Sequence, residues 1–273
     1  MKAFLRFPEF KLKALTLSYD DGTIHDKRMV EILDKYGIKC TFNLNSGMMG
    51  VGRRMSAEDC LTLFKNSPHE VAIHGEKHLG YMDLPDQFAA RDITRDRESL
   101  EKMFGRIVNG MAYPYGDYTD GTIEILKRCG VVYSRTCAQT ERFDIPTDWH
   151  RWPSTCYHKN PKLFSVLERF LDDTPARHMW CEEPRLFYLF GHSYEFNDDN
   201  NWDLLEKFCA LSGGKDNVWY ATNGEIYEYV KAYDALVYSY DGRMIKNPSA
   251  SDVYLSYFGK KIIVPAGKTV IAE

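Results

Sequence analysis

The chain has 273 residues with a formal net charge of -4, 44% of them hydrophobic and 27% charged. That length suits one α/β barrel, alone or with a small appendage, and the slightly acidic balance excludes a basic nucleic-acid groove or a cationic membrane patch. No run approaches the roughly 20 apolar residues of a membrane helix, and Arg6, Pro8, Glu9 and Lys11 break the amino terminus before a secretory hydrophobic segment can form.

In chain order, strand-like apolar runs fall at 12–19, 39–45, 70–75, 108–114, 131–136, 185–192 and 217–222. Amphipathic helical patterns lie between most of them, at 29–37, 56–67, 88–105, 122–130, 161–172 and 201–213. Repeated β-then-α order predicts a parallel sheet covered by helices, and about seven such units favour a closed (β/α) barrel. From about Tyr233 the texture changes to alternation and turns without a helix, with hairpin turns expected at Asp241-Gly242 and Gly259-Lys260. The expected organisation is a barrel domain over 1–232 and a small C-terminal all-β appendage over 233–273. Seven cysteines without a C-x-x-C pair read as reduced core thiols, and a cytoplasmic protein is expected.

The first strong run ends in two adjacent carboxylates and a glycine, Asp20-Asp21-Gly22. Asp-Gly between alternating apolar residues signals a hairpin. Here, however, Met29, Val30, Leu33 and Tyr36 follow at helical spacing, with Thr23 and Asp26 at a helix start and Gly37 at its end. The pair therefore stands on a strand-to-helix turn, where α/β folds collect functional groups. His74 and His78 follow another strand run. An isolated H-x-x-x-H is weak, but two imidazoles and a carboxylate form a good divalent-metal set, and Asp21, His74 and His78 could supply it. Asp20 is then free to act as a base, while the cation offsets the charge of the pair. His192, after the run at 185–192, is a candidate general acid. Taken alone, Pro114-Tyr115-Gly116 is a turn.

These segments together resemble the polysaccharide deacetylases, carbohydrate esterases with the nodulation-type chitooligosaccharide deacetylase domain. The ordered motifs are "SYDDG", "HGEKH", "AYPYG", a region around "WHRWP", and "LFGHSYE", over about 15–195. The resemblance implies a distorted barrel with fewer than eight full units. It also implies Asp20 as catalytic base, Asp21, His74 and His78 as metal ligands, the Tyr115 backbone N–H at the oxyanion, and His192 as acid. Zinc is the default ion, and cobalt, manganese or nickel fits the same ligands. Tyr113, Pro114, Arg151 and Trp152 are the expected substrate contacts. Two positions depart from the pattern. Ala112 stands where the third motif often has arginine, for which Arg151 is the spatial candidate, and Ser193 follows His192 where aspartate is common.

The implied reaction is hydrolytic removal of acetyl from an N- or O-acetylated carbohydrate. A cytoplasmic location gives weight to the alternative of a small cyclic amide or ureide cleaved at a C–N bond. A non-catalytic carbohydrate-binding relative is the third reading, opposed by the retained Asp and His residues. Oligomeric state is not encoded in any of these patterns.

Overall fold

The computed structural model describes residues 3–174 and 183–272. Its strands are β1 Ala3–Arg6, β2 Lys13–Asp20, β3 Thr41–Leu44, β4 Glu70–Ile73, β5 Gly110–Ala112, β6 Tyr133–Gln139, β7 Trp152–Ser154, β8 Cys156–Tyr157, β9 Arg185–Gly191, β10 Val218–Tyr220, β11 Val237–Tyr238, β12 Met244–Lys246, β13 Val253–Tyr257, β14 Lys260–Val264 and β15 Thr269–Ile271. The α-helices are α1 Asp26–Lys35, α2 Ala57–Phe64, α3 Asp86–Phe104, α4 Asp120–Arg128, α5 Leu163–Leu171, α6 Ser193–Asp198, α7 Trp202–Ser212 and α8 Asn223–Asp234.

Strands β2 to β10 form a nine-stranded sheet, parallel throughout its pairings, in the order β7-β6-β5-β4-β3-β2-β9-β8, with β10 also on β2. The segment 152–157 pairs with β6 through β7 and with β9 through β8, and Thr155 N–H donates to the Tyr188 carbonyl between them. This closes the sheet on itself. The staves are therefore β2, β3, β4, β5, β6, the bridging β7–β8 segment and β9, the distorted (β/α) barrel of about seven strands that was expected. β10 shares an edge of β2 with β3, pairing with Lys13 to Leu15 while β3 pairs with Ser18 to Asp20.

Alternation along β2 explains both layers. Leu15, Leu17 and Tyr19 join the main core, which includes Met29, Val30 and Leu33 of α1. Ala14 belongs to a second cluster with Tyr133, Trp152, Leu186 and Tyr188. Thr16, Ser18 and Asp20, of the same parity as Ala14, are buried and polar, so each needs a partner. Thr16 Oγ1 donates to Asn223 Oδ1 at 2.8 Å, and Asn43 Nδ2 donates to Ser18 Oγ at 2.7 Å.

The second half of the Thr16 contact comes from α8, a helix absent from the expected set. Its start is a capping box between Thr222 and Glu225, and that local signal outweighs the glycine and aromatics that follow. Asn223 also donates through Nδ2 to the Tyr188 hydroxyl and through its backbone to Thr41 Oγ1. Glu70, half-buried beside it, accepts from Thr41 Oγ1, Tyr133 OH and Gly224 N–H.

After α8 the chain forms antiparallel sheets, β11-β12-β15 and β13-β14, and β1 from the amino end joins the latter on β13. The β13–β14 turn is Phe258-Gly259, both at positive φ, one residue earlier than expected. Cys40, Cys60, Cys156 and Cys209 are buried free thiols, Cys129 is half-buried and Cys137 is exposed, so the core assignment fails for Cys137; Cys181 lies outside the described residues. Among the described residues, no helix is long and apolar enough to cross a membrane.

Asn223 links α8 to three staves at once. Asn223→Ala should lower stability by about 1–3 kcal/mol, the cost of buried polar groups left without partners, read as a lower urea midpoint. An unchanged midpoint would show that this network is not holding the barrel together.

Candidate functional site

The turn after β2 separates the two acids. Asp20 ends the strand facing inward, buried at 3% exposure, while Asp21 takes φ 78 and Gly22 φ 61. Left-handed backbone is tolerated by aspartate better than by most residues. Here it turns the second carboxylate towards the rim, where Asp21 Oδ1 lies 3.5 Å from His78 Nε2. Gly22 is required as glycine, because a Cβ would lie 2.8 Å from Leu44 Cδ2.

His74 follows β4 directly and is buried. Its Nδ1 lies 2.8 Å from the Ala112 carbonyl, which can only accept, so Nδ1 carries the proton and Nε2 keeps its lone pair. The chain then turns through Gly75 (φ 77) to His78 (φ 53), whose ring meets that of His74 at 4.8 Å and 71°. Burial pushes the pKa of His74 down, and burial together with the neighbouring His74 lowers His78 to about 4. Both imidazoles are neutral near pH 7, as ligands must be. One ligand atom each from Asp21, His74 and His78 lie within 4.8 Å of one another. This donor set fits a divalent cation and leaves coordination positions open.

Asp20 stays beside this set as a separate group. Its Oδ1 accepts from Asn43 Nδ2 at 2.8 Å, its Oδ2 accepts from Arg135 Nη2, and His74 Nε2 lies 3.9 Å from Oδ2. Burial opposes ionisation, but the Arg135 guanidinium beside it holds the carboxyl below its ordinary range. Arg135 is itself fully buried and stacks over Phe190 at 4.6 Å. In the sheet it is the register partner of Ala112. The guanidinium absent at Ala112 is thus supplied one strand over. Arg151, the spatial candidate, does not fill that role: it is half exposed and paired with Asp148 and Asp120. Asp21 has an arginine of its own, Arg54, whose Nη2 donates to Oδ1 at 2.7 Å.

His192 begins α6. Its Nδ1 lies 3.2 Å from Glu195 Oε2, and its backbone N–H donates to the same oxygen at 3.3 Å. Burial disfavours charge on the ring, but the Glu195 contact and the Asp20 charge outweigh it and raise the pKa. Although burial opposes it, Glu195 is pulled to about 2 by His192 and Tyr157, whose hydroxyl donates to Oε1. His158, stacked on Phe196 at 4.3 Å, lies 3.3 Å from Glu195 Oε2 and is lowered to about 4 by burial. Ser193 buries its hydroxyl between Thr23 and Asp26 and takes no part in orienting His192.

Of the remaining candidates, Tyr115 is 69% exposed at φ 60, its ring edge-on to His78 at 4.5 Å. Tyr113 and Pro114 are buried; the Tyr113 hydroxyl donates to the His150 carbonyl at 2.9 Å and its ring stacks on Tyr118. Trp152, 1% exposed, packs among Tyr133, Trp149 and Tyr188. Those three side chains pack in the protein interior. A cavity of about 640 Å³ lined by Arg151, Trp152, Asp148, Arg142 and Leu186 contains none of Asp20, Asp21, His74, His78 or His192. Sequence reasoning missed Arg135, Arg54 and the role of Glu195. Only Glu195 carried a local signal, the three-residue spacing from His192 at a helix start.

Residues 8–134 match the family model described as polysaccharide deacetylase. That span holds Asp20, Asp21, His74, His78 and Tyr115, and ends before Arg135 and His192. The chain is 25% identical over 154 residues to a poly-beta-1,6-N-acetyl-D-glucosamine N-deacetylase of Staphylococcus epidermidis, covering 50% of this chain and 53% of the relative. It thus spans about half the length of that curated relative. A putative polysaccharide deacetylase from Mycobacterium smegmatis superposes with TM-score 0.62 at 17% identity, over 85% of this chain and 95% of that one. An acetyl xylan esterase from Clostridium thermocellum, solved with a cobalt ion, gives 0.51 at 14% identity, over 79% and 90%. At these identities the two structures speak to the fold.

Arg135→Met would leave Asp20 buried without its cation, at a cost of about 3–5 kcal/mol. The sign reverses with pH. In the unmodified protein the depressed Asp20 pKa contributes stability above the unfolded carboxyl pKa, lost as pH falls through the folded value. In the variant the carboxyl is raised, so the folded state is favoured at low pH and loses stability as pH rises through the new pKa. Denaturation of ion-free protein at pH 5 and pH 8 should show the larger deficit at pH 8. A deficit independent of pH would mean that Arg135 acts by packing alone.

Proposed function

We propose, from the match of residues 8–134 to the polysaccharide deacetylase model and the similarity to a curated relative, that the chain is a metal-dependent hydrolase removing acetyl from an N- or O-acetylated carbohydrate. The observation that carries this reading is the set Asp21, His74 and His78 within 4.8 Å, with ionised Asp20 held apart from it by Arg135.

Asp21, His74 and His78 would hold the ion, zinc in the first instance. The ion supplies Lewis-acid polarisation of the acyl carbonyl and acidifies water at the site. Asp20 takes the proton of the attacking water. The Tyr115 backbone N–H donates to the oxygen on which charge develops. His192 gives its proton to the departing amine nitrogen or sugar oxygen as the bond to the acyl carbon breaks, yielding acetate and the free amine or hydroxyl. Asp20 and His192 require opposite protonation states, and Arg135 and Glu195 bias them that way. The exposed Tyr115 ring offers a platform for a sugar face.

Asp20→Asn and His192→Ala should each lower turnover by about 10²–10⁴-fold with folding retained. Chelation should abolish release of acetate, and added Zn²⁺ or Co²⁺ should restore it. Assays on acetylated chito-oligomers, acetylated xylan and small cyclic amides identify the bond attacked. Activity confined to the cyclic amides would overturn the carbohydrate reading, and wild-type rates in both variants would remove the assigned roles.

Glu195→Gln removes the charge that raises the His192 pKa. The protonated acid is then lost at lower pH, so the alkaline limb of the rate profile should move towards acid. A limb that stays in place would dissociate Glu195 from the acid.

A further inference from the structure

Helix α3 buries Ala89, Asp92, Ile93, Asp96, Leu100 and Phe104, a single stripe at helical spacing. Aspartate at two core-facing positions is costly, since a buried carboxylate must replace all its water contacts. What these two meet is the histidine loop. Asp96 Oδ2 accepts the His74 N–H at 3.0 Å and Oδ1 accepts the Ser46 N–H at 2.7 Å. One turn earlier, Asp92 Oδ1 accepts the Lys77 N–H at 2.9 Å and Oδ2 accepts the Tyr81 hydroxyl at 2.7 Å.

From the other side Asn45 Nδ2 donates to the His74 carbonyl at 2.6 Å and the Gly75 carbonyl at 2.8 Å. The backbone from His74 to Lys77 is therefore gripped by its donors and its acceptors together. The fit leaves no room: a Cβ on Gly75 would stand 2.6 Å from Asp92 Oδ2 and 2.7 Å from the Tyr81 hydroxyl. His78 is held at φ 53 immediately beyond this grip. Strained backbone of that kind persists where its surroundings over-determine it. Leucine at 92 and 96 would serve the stripe, and asparagine offers one acceptor oxygen where two donors arrive.

We propose that Asp92 and Asp96 are positioning residues for the ion site, holding His74 and His78 at ligating distance through the backbone of the loop that joins them. This rests on the reading of Asp21, His74 and His78 as the ion's ligands. The aspartates touch neither ion nor substrate.

The test titrates ion-free protein with Co²⁺, reading visible absorption against a competing chelator, together with amide exchange at His74 and Lys77. Asp92→Asn and Asp96→Asn should weaken Co²⁺ binding by about 10- to 100-fold, the usual range for groups that orient ligands. Exchange at Lys77 should accelerate in the first variant and at His74 in the second. Leu100→Ala, on the same stripe but away from the loop, should lower thermal stability while leaving Co²⁺ affinity within about twofold, as for an independent site. Tyr81→Phe, which removes one donor to Asp92, should give a smaller loss of affinity in the same direction and carries the test if an aspartate variant does not fold. Equal affinity and unchanged exchange in the variants, with tight binding by the unmodified protein, would overturn the positioning role alone. No Co²⁺ binding by the unmodified protein would overturn the ion site and this inference with it.

Discussion

Two carboxylates on adjacent residues of one turn, Asp20 and Asp21, set the terms for the rest of the molecule. Like charges on adjacent residues repel unless the fold separates or pairs them. The fold gives each acid its own guanidinium: Arg135 from β6 meets Asp20 and Arg54 meets Asp21. The backbone contributes as much as the charges. Strand alternation sends Asp20 inward, and the left-handed step at Asp21 sends the next side chain to the rim. The two acids thus enter different environments, one sealed in the barrel and one beside two neutral imidazoles.

The barrel interior is organised around the same demand. A row of Thr16, Ser18 and Asp20 on one stave would be unfavourable in an apolar core. Each is met from another element, by Asn223, Asn43 and Arg135 in turn. Asn43 spans two rungs, touching both Ser18 and Asp20. The Tyr188 hydroxyl, which accepts from Asn223, also hydrogen-bonds Ser18, so the network under the site is continuous with the one tying α8 to the staves. Such interiors gain definition of side-chain position at the expense of hydrophobic packing, which suits a base that must keep one orientation.

How much of this was legible in the sequence depended on the range of the interaction concerned. The Asp20-Asp21-Gly22 turn could be separated from a hairpin because the residues that decide it, Met29, Val30 and Leu33, lie within one helix length. The His74–His78 spacing and the strand-end positions were likewise local. Arg135 was invisible because its meaning depends on the register that sets it opposite Ala112, and no local pattern specifies the pairing of β5 with β6. Asp92 and Asp96 lay unremarked inside the amphipathic pattern at 88–105, since a period shows where a face lies but not that a loop will present N–H groups to it. The burial of Trp152 was hidden for a related reason. Aromatics near strand ends serve the rim or the interior equally well, and closure through 152–157 decides for the interior. Helix α8 was missed because its evidence was a cap, Thr222 with Glu225, and not a clean apolar period.

The division of labour in the proposed reaction follows from where burial and charge oppose each other. Asp20 is buried and His192 half-buried, and in both desolvation opposes the charged form. Each carries a dedicated counter-charge, and the two counter-charges have opposite signs. Arg135 favours the deprotonated carboxyl, and Glu195 favours the protonated imidazole. Glu195 can do so because Tyr157, Lys159 and His158 surround it, so its own charge is maintained. The proposed base and acid are thereby biased towards opposite states, the condition under which one site passes a proton in from water and another out to a leaving group. Neither assignment is a property of aspartate or histidine as such. Both come from the elements that β2 and β9, adjacent in the sheet, bring to either side of the same opening.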